Sequence, residues 1–264
     1  MDAETKPPEP KPPSSKPPSS KPSGAKRKGI PWRELAGEIG TIVAGVVIAL
    51  AAGQAVDALQ WRHTVQVAED AIILELGEDN GPQGYERMAI NGCLDHQLDA
   101  IQAAIDNSRP ASEVYALARS YHPPYRTWDQ EAWNAMVSSN AASHVPPSRM
   151  ILWSEPYRAM PTLNELNAQE LETGATLRAT RRHPGPLSED EAERFVVAIQ
   201  RLRELNRALY VGGRVLIAAT RDAGVTVPAK DKADMLADVR RRYGACVAEP
   251  PADSTLSQSD EDGA

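Results

Sequence analysis

Between Ile39 and Val56 the chain runs eighteen residues without a formal charge, IGTIVAGVVIALAAGQAV, and no other stretch is long and apolar enough to cross a lipid bilayer. As a helix these residues rise about 27 Å, against a hydrocarbon core of about 30 Å. Trp32 and Trp61 bracket the run. On one continuous helix they stand about 43 Å apart, the thickness of a bilayer with its headgroup layers, where tryptophan is enriched. A surface helix of a soluble domain keeps one polar face, and a buried helix of such a domain would have to account for a segment apolar nearly all round. The run is therefore read as a membrane anchor, within a helix over residues 31–59 that Pro31 can open.

The flanking charges give it a direction. Residues 1–33 carry eight Lys/Arg and three Asp/Glu, whereas residues 57–264 carry 21 and 31. Basic residues stay on the cytoplasmic side, so the N-terminus is expected inside and everything after about Asp57 outside. A cleaved signal peptide is the competing reading, because Gly53-Gln54-Ala55 offers small residues after an apolar core. The long region before that core and the length of the run favour an uncleaved signal anchor. The acidic outer part has no basic footprint, which argues against nucleic acid as a partner.

At 100° per residue, Glu38, Thr41, Gly45, Ala49 and Ala52 share one stripe of the anchor, with Gly53 at its edge. Gly45, Ala49 and Gly53, at successive i+4 steps, match a small-xxx-small pattern through which two membrane helices can approach, making a homodimer a candidate state. Glu38-Ile39-Gly40, the apolar run from Ile42 to Leu50, Trp61-Arg62 and the acidic helix ending Leu74-Glu75-Leu76 resemble a group of uncharacterised bacterial single-pass membrane proteins over residues 32–80. The resemblance implies an inner-membrane protein with a periplasmic domain and supplies no activity or catalytic residues.

Strand signals are scarce beyond the anchor, and an all-α fold is expected: a helical bundle over residues 60–248, continuous with the anchor helix. Ser188-Glu189-Asp190-Glu191 is a capping box. It opens a long helix in which Phe195, Ile199, Leu202, Asn206, Leu209, Gly213, Leu216 and Thr220 recur in steps of four and three until Gly224. Gly212 and Gly213 allow neighbours close, and Asn206 reads as a register-fixing contact. The anchor helix is expected to continue outward through Leu76 before a break at Gly77 and Gly81-Pro82, followed by a helix over about Tyr85 to Asn107. Thr127, Thr162 and Asp231 are read as openings of further helices, with irregular joints at Pro123-Pro124, Pro146-Pro147, Pro156 and Pro161. The Lys-Pro-Pro-Ser-Ser repeats of residues 1–30 and the acidic residues 249–264 are expected to be disordered tails.

Catalytic signals are sparse. Cys93 and Cys246 both fall on the outer side, where an even pair reads as one disulfide in an oxidising compartment, the alternative being two free thiols. Cys93 and His96 with Asp95 and Asp99 lack a second ligand pair of matching spacing, so no metal or other cofactor is expected. Nucleophile elbow, phosphate loop and zincin helix are all missing. Tyr121, Tyr125, Trp128, Trp133 and Trp153 are either core anchors or a pocket lining. The leading expectation is a non-enzymatic anchored protein that contacts the bilayer and an unknown envelope protein or itself. The alternative is a periplasmic small-molecule-sensing domain acting through a membrane partner.

Overall fold

The computed structural model describes residues 32–179 and 185–251, at 33–35 by backbone alone. The Lys-Pro arm, His183 and residues 252–264 of the acidic tail lie outside the described residues. Among those described, every regular element is helical and there is no strand. The chain runs through α1 (Trp32–Leu74), a π-turn (Glu75–Asn80), α2 (Gly81–Asp106), α3 (Ala111–Ser120), α4 (Glu131–Ser138), a 3-10 turn (Ala141–His144), α5 (Pro147–Arg178), α6 (Glu189–Asp222), α7 (Ala229–Tyr243) and a closing 3-10 turn (Gly244–Cys246). Two compact units divide it, one ending at Gln54 and the other beginning at Ala55.

In the first unit, every residue from Ala36 to Gln54 is exposed. A side-chain carbon added at Gly37, Gly40, Gly45 or Gly53 would meet nothing within 4 Å. The helix is nonetheless apolar, with a mean hydropathy of 2.1 over its most apolar window, and is long and apolar enough to cross a membrane.

The second unit is built on α2, α5 and α6, and its contacts give their directions. Glu69 pairs with Arg149, Tyr157 lies beside Glu75, and Arg87 pairs with Glu170. Numbers rise together, so α5 runs parallel to the path of α1 and α2. Asp99 instead meets Arg203, Asn91 meets Asn206, and Gly84 meets Gly213, so α6 runs back the other way. The α6 stripe lies in the core: Phe195, Ile199, Leu202, Asn206, Leu209, Gly213, Leu216 and Thr220 are all buried. Each large apolar member contributes on the order of 1.5–3 kcal/mol. Its capping box is formed in both directions, and Gly224 follows its end at φ +81°. The two glycines serve different neighbours. A side-chain carbon at Gly212 would collide with Leu163 of α5, and one at Gly213 would stand 3.1 Å from the Gly84 carbonyl of α2.

Several sequence expectations are corrected. The helix does not break at Gly77 and Gly81-Pro82: α1 passes through the π-turn directly into α2. The Gly81 N–H bonds the Leu76 carbonyl, five residues back, and the widened turn accommodates the proline that follows. Gly81 is required there because a side chain would strike Val227. Pro156 and Pro161 are not joints but lie inside α5. The Tyr157 carbonyl, which the missing Pro161 N–H leaves without its helical donor, accepts from Gln130 Nε2 at 3.0 Å instead. Thr162 is therefore mid-helix, and Thr127 caps nothing, since Gln130 is the N-cap of α4. Pro228, rather than Asp231, precedes α7. Helix α3 had no expected counterpart.

Candidate functional site

The polar residues of the second unit converge on a strap, residues 121–130, that has no regular structure of its own. An extended segment carries main-chain groups that need partners. Asparagine amides supply them, because one donor and one acceptor on a short side chain mimic a neighbouring strand. Asn80 of the π-turn donates to the Asp129 carbonyl and accepts from the Asp129 N–H, both at 2.9 Å. Asn164 on α5 does the same with Trp128, at 3.0 and 2.9 Å. Asn167, one turn further, accepts from Arg126 N–H at 3.0 Å and donates to the Pro124 carbonyl at 3.1 Å. Arg126 forms a two-pronged pair with Glu86 of α2, and the Tyr243 hydroxyl of α7 donates to the His122 carbonyl at 2.8 Å.

Beneath the strap lies a buried ion pair. Arg87 donates to both oxygens of Glu170, at 3.0 and 2.6 Å, and to Asn206 Oδ1 at 2.7 Å. Asn206 in turn donates to Asp95 and to the Asn91 carbonyl. Burial and the nearby Glu170 carboxylate push the Tyr121 hydroxyl far above its ordinary pKa, so it stays protonated and donates to Glu170 at 3.4 Å. Arg87, Glu170 and Asn206 are almost wholly shielded from solvent. The group has the character of a register lock among α2, α5 and α6 rather than of reacting groups open to a substrate.

Glu75 stands apart. It lies in the π-turn, is buried, and accepts from the Ala132 N–H at 2.9 Å, so it caps α4, whose own N-cap residue contributes no side-chain bond. The Tyr157 hydroxyl is close enough to act on this carboxyl while falling outside hydrogen-bond geometry. Burial raises the pKa of Glu75, an effect to which the neighbouring Asp129 adds and which the amides of Ala132 and Glu131 oppose.

Other singled-out residues are distributed as follows. Cys93 and Cys246 form a disulfide, with Cα atoms 5.2 Å apart, tying the closing 3-10 turn to α2. Tyr121, Trp128 and Trp153 are buried, Trp133 is half-buried and stacks on Tyr157 at 5.4 Å, and Tyr125 is exposed. Trp32 is exposed, and Trp61 stacks on His144 at 4.0 Å. Glu38, Thr41, Gly45, Ala49, Ala52 and Gly53 are all exposed along α1. Among the described residues no group of three His, Cys, Asp or Glu is placed to hold a metal ion. Sequence reading missed Glu75, Asn80, Arg87, Asn164, Asn167 and Glu170. The signal was the three-residue spacing of Asn164, Asn167 and Glu170 on a helix whose same side carries Met160 and Leu163.

Two shallow grooves are prominent on the described surface. One, of about 800 Å³, follows α1 past Trp61, Val65, Glu69 and His144. The other, of about 600 Å³, lies between α5 and α6, floored by Leu163, Leu166, Val211 and Val215 and edged by Glu204 and Arg207. No family model, curated protein or solved structure matches the chain.

Proposed function

We propose that this is a single-pass inner-membrane protein, cytoplasmic at its N-terminus, whose periplasmic helical bundle acts without catalysis as an interaction or scaffold module. One observation carries the reading: from Ala36 to Gln60 every residue is exposed, in a helix whose apolar window has a mean hydropathy of 2.1. Apolar surface on that scale is stable in hydrocarbon and costly in water. The disulfide supports an oxidising compartment for the second unit, and the charge imbalance supports its outward orientation. The α5–α6 groove, with Val211 and Val215 exposed, is the surface best suited to a protein partner, and the Gly45, Ala49, Gly53 stripe to a second copy.

The sensing alternative has less to stand on, because Trp128 and Trp153 are packed into the core with Met136, Met160 and Leu209. A reporter enzyme that works only after export, fused at the C-terminus, tests the topology: activity is expected, and its absence overturns the orientation. Crosslinking in intact membranes tests the interaction. An adduct lost on Val211→Glu, with the melting temperature unchanged, is expected, and recovery of monomer alone counts against the reading.

A further inference from the structure

Helices α5 and α6 lie side by side in opposite directions: Leu163 packs at Gly212, and Gln169, further along α5, meets Arg201, further back on α6. The face they share with solvent holds a groove beside a ridge. Small residues, Ala159, Ala208 and Gly212, keep the groove open between the helices. Next to them on α6, Val211 and Val215 stand out at 48 and 53% exposure. Among the residues lining the groove only Glu204 and Arg207 are charged, one of each sign and about a turn apart. Glu204 meets Arg201 at 3.2 Å, an exposed pair that contributes little. Arg207 has neither hydrogen bond nor ion pair among the described residues. The helices are 32 and 34 residues long. At about 48 Å of shared length and about 10 Å of width each, they offer a face on the order of 1,000 Å², against roughly 800 Å² per partner in a standard interface.

We propose that a second copy of this chain occupies the groove, the two α5–α6 faces closing on each other as a four-helix layer. The inference rests on the reading of this groove as a partner surface and names the partner. In a two-fold contact the same patch serves on both sides, so it has to complement itself. This face does so twice. It carries both a ridge and the groove that a ridge fills, and its rim carries one charge of each sign. Arg207 of each copy reaches the partner's Glu204, which gives the free cation a counter-ion at the edge while the valines are dried in the middle. An unrelated protein would have to present the same ridge and the same charge pair, and a copy presents them by identity.

The test uses the full chain in membranes with its disulfide intact, as two differently tagged copies that carry a photoreactive residue in place of Val211. Light is expected to give an adduct of twice the chain mass containing both tags. Arg207→Glu and Glu204→Arg, each made alone in both copies, leave only like charges along the two rims. Each is expected to lower the yield of that adduct by about tenfold at an unchanged melting temperature. Arg207→Glu together with Glu204→Arg is expected to restore it, because both rims change at once, and no unrelated partner can give that result. An adduct with a different protein overturns the second copy and leaves the groove standing as a partner surface. A doubly tagged adduct that ignores the single reversals, or that the double reversal fails to restore, overturns the proposal. No adduct at all removes the partner reading of the groove, and the second copy with it.

Discussion

The helix from Ala36 to Gln60 and the core around Arg87 invert each other. One leaves apolar residues exposed, and the other buries an arginine, a glutamate and an asparagine. In water both would be costly, yet the costs are met differently. The buried ions satisfy each other inside the fold, through Glu170 and Asn206, whereas nothing in the described chain covers Val43, Val46, Val47 or Leu50. A region that completes its own interactions specifies structure, and a region that leaves them open specifies surroundings.

The sharpest way to break that comparison is to change the exposed helix. Val46→Asp with Val47→Asp places two charges in the apolar run and opposes insertion by about 5–7 kcal/mol. The double variant is expected to leave the membrane fraction on alkaline extraction while the second unit keeps its melting temperature; retention in the pellet would sink the anchor. In the core, Glu170→Ala strands Arg87 and is expected to cost about 3–5 kcal/mol of unfolding free energy, read from urea midpoints. Replacing both partners, Arg87→Met with Glu170→Leu, is expected to recover much of that loss. If Glu170→Ala is as mild as a surface substitution, the lock has been misread. The disulfide comes next, because it closes a long loop within the second unit alone. Cys93→Ser with Cys246→Ser is expected to lower stability by on the order of 2–4 kcal/mol, with membrane retention unchanged. An unchanged urea midpoint would show that the bond adds nothing.

The elements legible in the sequence were those with local causes. The capping box at Ser188, the stripe of α6 and the stop at Gly224 depend on residues within a few turns of one another, so spacing alone revealed them. Helix α5 was illegible because its continuity through Pro161 depends on Gln130, more than thirty positions away, supplying the missing donor. The π-turn hid for the same reason: Gly81-Pro82 looks like a break until Val227 is seen packed where a side chain would stand. The site was the least legible part. Arg87 finds Glu170 across 83 residues and Asn206 across 119, and no local pattern encodes such partners. What the sequence did show was polarity in the wrong place, at Asn164, Asn167 and Glu170 on a packed helix face.

The smallest expected effect falls at Glu75, in the π-turn where the path from the exposed helix enters the core. Its ordinary pKa is 4.5 and burial raises it in the folded state. The folded protein therefore holds this proton more tightly than the unfolded chain. The associated stability is fully present below the ordinary value and is lost as pH rises through the folded one, so at neutral pH the ionised carboxylate works against its own burial. Glu75→Gln keeps an oxygen to accept from the Ala132 N–H and removes the charge. Melting temperature followed from acid to neutral pH should be higher for the variant at the neutral end, with the downward slope above the ordinary pKa reduced. A variant less stable at neutral pH would mean that the carboxylate's hold on the N-terminus of α4 outweighs its desolvation.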